Sequence, residues 1–148
     1  MKVRRLSEDD KTVVGSWKYQ GAYAQFNYAL EESGWIDSYC DAPHSPCYSC
    51  EVDGKIVGVF LFIPQKENEF RVLVNPEELS KGYGKQITRI AIETALNTLG
   101  YKKISLIVRK DHAVALSLYQ KMGFVEVGET TEAIRGEEVL FYKILLKL

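Results

Sequence analysis

Two glycines one residue apart, Gly82 and Gly84, stand among hydroxyl and ammonium groups in Ser80-Lys81-Gly82-Tyr83-Gly84-Lys85. An apolar run, Val72-Leu73-Val74, precedes them and a helical pattern follows. Glycine lets a backbone approach a ligand closely, and the first turn of a helix leaves its N–H groups without intrahelical partners. Those amides and the helix dipole suit an anion, phosphate above all, and Lys81 and Lys85 add charge. Spelling excludes two phosphate motifs. A P-loop requires Gly where Leu79 stands and Ser or Thr where Gln86 stands. The dinucleotide fingerprint requires a third small residue in place of Ile87 and a parallel strand-helix-strand start. Alone, the glycine pair is equally the flexible start of a capped helix.

A second stretch carries a phenol and an imidazole: Asp111-His112-Ala113-Val114-Ala115-Leu116-Ser117-Leu118-Tyr119-Gln120-Lys121-Met122-Gly123-Phe124. A phenol holds its proton at neutral pH until a strong base comes near, and by itself Tyr119 reads as core packing beside Leu118. Soft metal ligands, Cys40, His44, Cys47 and Cys50, crowd into eleven residues instead of two separated knuckles. No metal site is expected there, only ordinary half-buried thiols. Three cysteines behind an N-terminus with no apolar leader read as a reducing, cytoplasmic setting.

Elements must position these groups. Residues 2–6 read as a strand, and Ser7 or Asp9 caps a helix through Val13, Val14 and Trp17. Residues 22–33 read as a second helix, ended by Gly34, and residues 35–46 as loop. Residues 48–52 and 55–63 flank Asp53-Gly54, a hairpin signature, and residues 70–74 add a third antiparallel strand. Ile87, Ile90, Ala91, Thr94, Ala95, Thr98 and Leu99 then recur at helical spacing, closed by Gly100. Residues 103–108 make a strand parallel to its predecessor, because a helix forms the crossover. A helix from Asp111 or His112 turns Ala115, Leu116, Leu118, Tyr119 and Met122 inward and ends at Gly123. Residues 124–127 and 139–146 supply the last strands.

With both stretches in place, the sequence resembles the GNAT superfamily of acetyl-CoA-dependent N-acetyltransferases. Gly82 and Gly84 match its Gln/Arg-x-x-Gly-x-Gly loop. Ala115, Leu118, Tyr119, Lys121, Gly123 and Phe124 match its later Asn-x-x-Ala-x-x-Leu-Tyr-x-Lys-x-Gly-Phe. The resemblance implies one α/β (α+β) domain over residues 1–148: a mixed, mostly antiparallel sheet of six to seven strands, splayed at its centre and flanked by about four helices. It also implies that Val72, Leu73 and Val74 hold the pantetheine of acetyl-CoA, and that Ser80, Lys81, Gly82, Tyr83, Gly84 and Lys85 cradle its pyrophosphate. His112 stands where the family has an asparagine facing the cofactor, and Tyr119 where it has the tyrosine that protonates the departing thiolate. Three departures matter. Leu79 replaces the family's Gln or Arg, His112 replaces Asn, and the two usual base positions hold Asn68 and Ile107. Glu67 and Glu69 lie nearby in sequence, and Glu69 is the candidate base, with a water chain as the alternative.

The acceptor side rests on charge. Residues 19–54 hold six acids and no Lys or Arg, whereas residues 81–121 hold eight basic and two acidic side chains. The formal net charge of −1 is thus a cancellation, and it argues against bulk nucleic-acid binding. Tyr19, Tyr23, Phe26, Tyr28, Trp35, Tyr39 and Tyr48 share the acidic interval, and aromatic walls with carboxylates attract a cationic amine. In the resembled family this region shapes the acceptor pocket, so Tyr23, Phe26, Glu31 and Glu32 are acceptor candidates. The longest apolar run, residues 56–63, is far short of the ~20 residues of a membrane span. The expectation is acetyl transfer from acetyl-CoA to a small cationic primary amine, with no nucleic-acid or membrane partner and with a homodimer admitted. The alternatives are acetylation of a protein N-terminus, an O-acceptor, or a non-catalytic acyl-CoA-binding module.

Overall fold

The computed structural model describes residues 1–31, 34–41 and 45–148, with Trp35 described by its backbone alone. The chain divides into two compact units, Met1–Phe62 with Arg71–Ile92, and Ile63–Phe70 with Glu93–Leu148. Among the described residues there are seven strands, with α-helices, three 3-10 helices and one π turn between them.

In the first unit, strands β1 (Lys2–Arg5), β2 (Cys47–Val52), β3 (Lys55–Ile63) and β4 (Glu69–Val74) are neighbours in that order. Asp53 and Gly54 turn the β2–β3 hairpin at φ 52° and 79°, as the Asp-Gly pair predicts. Helix α1 (Glu8–Gly15) starts at Ser7, whose hydroxyl accepts from the Asp10 N–H while the Asp10 carboxylate accepts from the Ser7 N–H. This reciprocal box satisfies two amides the helix leaves open. Asp10 is also gripped by Arg4 and by the Ser49 hydroxyl at 3.0 Å, so one buried carboxylate ties β1, α1 and β2 together. Burial alone would raise its pKa; the Arg4 guanidinium and the Ser7 and Ser49 donors hold it down at about 2.

Two expectations are corrected here. The helix expected from residue 22 is not an α-helix: over the described residues it is a 3-10 helix, Gly21–Leu30. At three residues per turn Tyr23, Phe26 and Ala29 fall on one side, the Tyr23 and Phe26 rings lie 6.3 Å apart, and Ala29 is buried. Gly34 does not terminate a helix but precedes one, α2 (Trp35–Tyr39), inside the stretch expected to be loop. Its glycine answers a close approach, since a Cβ there would collide with the carbonyls of Tyr28 and Ala29.

Helix α3 (Tyr83–Glu93) packs Ile87 and Thr88 inward and sits against Gly58 of β3. A Cβ at Gly58 would overlap the Ile87 side chain and press on the Leu73 carbonyl at 3.0 Å. Glycine at this point is what lets helix and strand meet.

In the second unit the helix continues as one π turn, Thr94–Thr98, and Gly100 ends it at φ 67°. Strand β5 (Lys103–Arg109) is parallel to β4, with Glu69 opposite Ser105 as the one registered pair. The Ser105 hydroxyl donates to the Lys66 carbonyl at 3.0 Å and Asn68 Nδ2 to the Lys103 carbonyl at 3.0 Å. Helix α4 (Ala113–Lys121) leads to β6 (Val125–Ile134) and β7 (Glu137–Lys147), and the order is β5-β7-β6. The hairpin turns at Arg135 and Gly136, both at positive φ, and β6 runs well past the expected residue 127. No helix among the described residues is long and apolar enough to cross a membrane.

Candidate functional site

The end of β4 and the start of α3 form the first part of the site. Asn75 caps the short 3-10 turn Pro76–Glu78 by accepting from the Glu77 N–H at 2.9 Å. Its amide nitrogen donates to the Ile56 carbonyl at 2.9 Å, so a buried Asn75 pins the exit of β4 to β3. From there the chain passes through Ser80 at φ 65° and Gly82 at φ 82° into α3. Left-handed backbone at a non-glycine residue costs about 1–3 kcal/mol, a strain typical of ligand-gripping turns. Gln86 N–H makes the first bond back, to the Gly82 carbonyl at 3.2 Å, and the amides before it start the helix with no i−4 partner.

Gly84, like Gly15 and Gly128, is a glycine that neither a positive φ nor a close approach requires, and it alone of the three stands in the first turn of a helix. Its φ is not positive, and a Cβ there would meet only the Val74 side chain, at an ordinary 3.7 Å. Nothing in the fold demands glycine, and alanine in the first turn would stabilise the helix by up to about 1 kcal/mol. The missing side chain leaves room in front of the helix end. That is a cradle a Cβ would fill, and it fits a phosphate held by backbone amides.

The two lysines differ as well. Lys81 is paired with Glu78 at 2.6 Å, and the same carboxylate holds Lys55, whereas Lys85 takes part in no ion pair among the described residues. Val72 and Val74 are half-buried and Leu73 is buried. Tyr83 is half-buried at the helix start.

The second unit holds the other cofactor-side candidates. Tyr119 is half-buried on α4, its ring edge-on to Phe124 at 5.7 Å. Its carbonyl accepts from the Met122 and Phe124 N–H groups at 3.0 and 3.1 Å, and Gly123 at φ 104° makes that wrapped end possible. The Tyr-x-x-x-Gly-Phe spelling therefore fixes the phenol's base through the helix terminus. His112 is the exposed N-cap residue of α4, and its imidazole makes no capping bond. The inward face expected on α4 is shallower than predicted: no residue of this helix is fully buried.

The base candidates separate clearly. Glu67 lies between Lys143 and Lys103, and these two ammonium groups hold its carboxyl down at about 2. A carboxylate so engaged is a poor proton acceptor. Glu69 is buried, only 5% exposed, at the first position of β4.

On the acceptor side the structure brings Tyr19, Phe26 and Tyr23 into one row, with Tyr19 edge-on to Phe26 at 5.9 Å. Glu31 is exposed directly after the 3-10 helix, and Glu32 lies outside the described residues. The acidic interval is partly compensated from elsewhere: Asp41 pairs with Lys11 at 3.0 Å and Glu51 with Arg4 at 2.5 Å. Two of its rings already face protein cations, Tyr39 with Arg71 at 5.8 Å and Tyr48 with Arg5 at 5.3 Å. Counting charge along the sequence missed these partners because they come from other segments.

The cysteine reading needs one correction. Cys40 and Cys47 are joined in a disulfide, with Cα atoms 6.0 Å apart, and are not thiols. Cys50 is a free, buried thiol whose pKa burial pushes up to about 12. His44 lies outside the described residues.

Comparison with known proteins completes the description. Residues 8–124 match the model of the acetyltransferase (GNAT) family. Spermidine N(1)-acetyltransferase of Escherichia coli strain K12 is 25% identical over 126 residues, 82% of this chain and 66% of that relative. This chain therefore spans just under two thirds of that relative's length. N-acetyltransferase family 8 member 2 of Rattus norvegicus is 31% identical over 99 residues, 62% of this chain and 43% of that protein. Among solved structures, spermidine N-acetyltransferase from Vibrio cholerae in complex with CoA and spermine superposes with a TM-score of 0.78 at 19% identity, covering 99% of this chain and 94% of the other. At that identity the likeness is one of fold. The family match, together with the glycine turn and the tyrosine helix it spans, shows that the chain belongs to the acetyltransferase (GNAT) family.

Proposed function

We propose that residues 1–148 act as one acetyltransferase domain that takes the acetyl group of acetyl-CoA and passes it to a primary amine of a small cationic acceptor. The observation that carries the reading is the start of α3, where amides with no i−4 partner stand beside Gly84, a glycine that neither φ nor packing requires. The relatives support the donor and the acceptor class, since spermidine N(1)-acetyltransferases are named for a polyamine and one solved neighbour was determined with CoA and spermine.

Acetyl-CoA would supply an activated acyl group as a thioester. On the side of this chain, the amides from Ser80 to Lys85 hold the pyrophosphate, and Lys85 is the lysine with charge to spare. It stands in for the Gln or Arg that Leu79 replaces. Backbone of Val72, Leu73 and Val74 orients the acyl arm, and an N–H near Val74 faces the carbonyl oxygen as charge develops. His112 contributes a hydrogen bond to the cofactor from the start of α4. The attacking amine must be neutral, so its proton leaves through Glu69 or a water held by it. The C–N bond forms, the C–S bond breaks, and Tyr119 gives its proton to the departing sulfur. Tyr23, Phe26 and Glu31 receive the cationic body of the acceptor, by cation–π contact and charge.

Thiol release from acetyl-CoA, screened over diamines, polyamines, amino acids and N-terminal peptides, tests the reading. Turnover is expected with polyamines. Tyr119→Phe should lower kcat by about tenfold or more while leaving CoA affinity within a small factor. CoA binding without turnover on any amine would replace this reading with a binding module.

A further inference from the structure

The peptide joining Val74 to Asn75 ends β4, and both of its polar groups are held. Its N–H donates to the Val57 carbonyl at 2.9 Å, and its carbonyl accepts from the Tyr19 hydroxyl at 2.5 Å. Two such anchors fix the plane of this peptide, and with it the direction in which the last residues of β4 present their backbone. Tyr19 is gripped in turn. The Asn27 carboxamide accepts from the Tyr19 N–H at 2.8 Å and donates to the Tyr19 carbonyl at 3.0 Å. Phe26 adds an edge-on ring contact at 5.9 Å. Tyr19 is only 2% exposed, and burial pushes its phenol pKa up, so the hydroxyl remains a donor throughout the neutral range. Asn27 and Phe26 belong to the 3-10 helix Gly21–Leu30, which also carries Tyr23.

We propose that Tyr19 is a positioning residue: through Asn27 on one side and the Val74 carbonyl on the other, it ties the acceptor-side 3-10 helix to the backbone that orients the acyl donor. The proposal rests on the assignment of Val72–Val74 to acetyl-CoA made above. Tyr19 acts through Val74 and exchanges no proton. The link makes amine seating and carbonyl orientation one mechanical unit, so an acceptor that fits the 3-10 helix poorly transfers slowly even at saturating acetyl-CoA. A merely structural tyrosine in this place would contribute stability and nothing to the chemical step.

The test uses the full chain and Tyr19→Phe, which keeps the ring against Phe26 and removes only the hydroxyl. Two readouts are taken. Amide exchange over residues 74–79 should accelerate by about tenfold or more while the slowest-exchanging amides elsewhere hold their rates. On the best amine, kcat should fall about 10- to 100-fold, with the KM for acetyl-CoA changed far less. Asn27→Asp, which keeps the acceptor for the Tyr19 N–H and loses the donor to its carbonyl, should move both readouts in the same direction. Adding Asn27→Asp to Tyr19→Phe should cost little beyond Tyr19→Phe alone, because the two residues act in series. Wild-type exchange over residues 74–79 in Tyr19→Phe, or a loss spread evenly over the molecule, overturns the proposal. So does an unchanged kcat beside accelerated exchange. If the wild-type protein turns over no amine, the acetyltransferase reading fails by that result, and local exchange in Tyr19→Phe still decides whether the anchor exists.

Discussion

Gly58 and Gly84 lie on facing elements of the same unit and are glycines for opposite reasons. At Gly58 the protein's own atoms occupy the space: Ile87 and the Leu73 carbonyl stand where a Cβ would be. At Gly84 the space is open and the backbone is ordinary, so the fold would accept alanine. One glycine serves packing, and the other is required by neither packing nor φ. The same division runs through the charged groups. Asp10 is consumed by Arg4, Ser7 and Ser49, and Lys81 by Glu78, whereas Lys85 is free of ion pairs among the described residues.

The sharpest way to break the contrast is at Gly58. Gly58→Ala should destabilise the protein by about 2–3 kcal/mol, because overpacking a filled core forces side chains off their rotamers. A urea midpoint equal to wild type would show that α3 yields freely, and Gly58 would no longer differ from Gly84.

Asp10 extends the packing side of the comparison to charge. Its folded pKa of about 2 lies below the ordinary value of 3.8, so its contribution to stability is complete above about pH 4 and is lost as pH falls through about 2. That contribution is about 2 kcal/mol, and Asp10→Asn should remove it at neutral pH. The variant's stability should then depend less steeply on pH between 4 and 2, with CoA affinity unaltered. Parallel acid-unfolding curves for variant and wild type would contradict the assignment.

Gly84→Ala should behave in the reverse manner. Calorimetric titration should show CoA binding weakened by about tenfold, roughly 1.4 kcal/mol, in a protein as stable as wild type or more so. An unchanged dissociation constant would leave Gly84 without a role and remove the main support for the phosphate cradle.

The smallest effect separates the lysines. Lys85→Ala should weaken CoA binding about threefold at low salt, and more than Lys81→Ala does, since the Lys81 ammonium is already engaged. Raising the salt should shrink the difference. Equal effects would mean that Glu78 releases Lys81 when the anion arrives.

Features made by neighbours in sequence were legible in advance. The Asp53-Gly54 hairpin, the Ser7 cap, the strand leading to Gly82 and Gly84, and the Tyr119-to-Phe124 helix end all depend on residues within a few positions of one another. The family resemblance rested on the same short-range spellings. Where the reading failed, the cause was a partner from elsewhere. Gly34 looked like a helix stop because its close approach to the carbonyls of Tyr28 and Ala29 leaves no mark in composition. The acidic interval looked uncompensated because Lys11 and Arg4 lie outside it. Tyr19 was visible only as one aromatic residue among seven, and no local pattern announces a hydroxyl bound to a carbonyl in the fourth strand.

The sequence by itself determined the strands, the first helix, the glycine turn with its neighbouring lysines, and the helix that carries Tyr119, because turn chemistry, caps and periodicity act over one or two turns of chain. Only the tertiary structure decided which glycine the fold requires, which carboxylate is spent on Lys103 and Lys143, which cysteines pair, and what holds the end of β4. Those outcomes depend on atoms a few ångströms apart in space and from 7 to 76 residues apart along the chain, and residue spacing does not encode which of them meet.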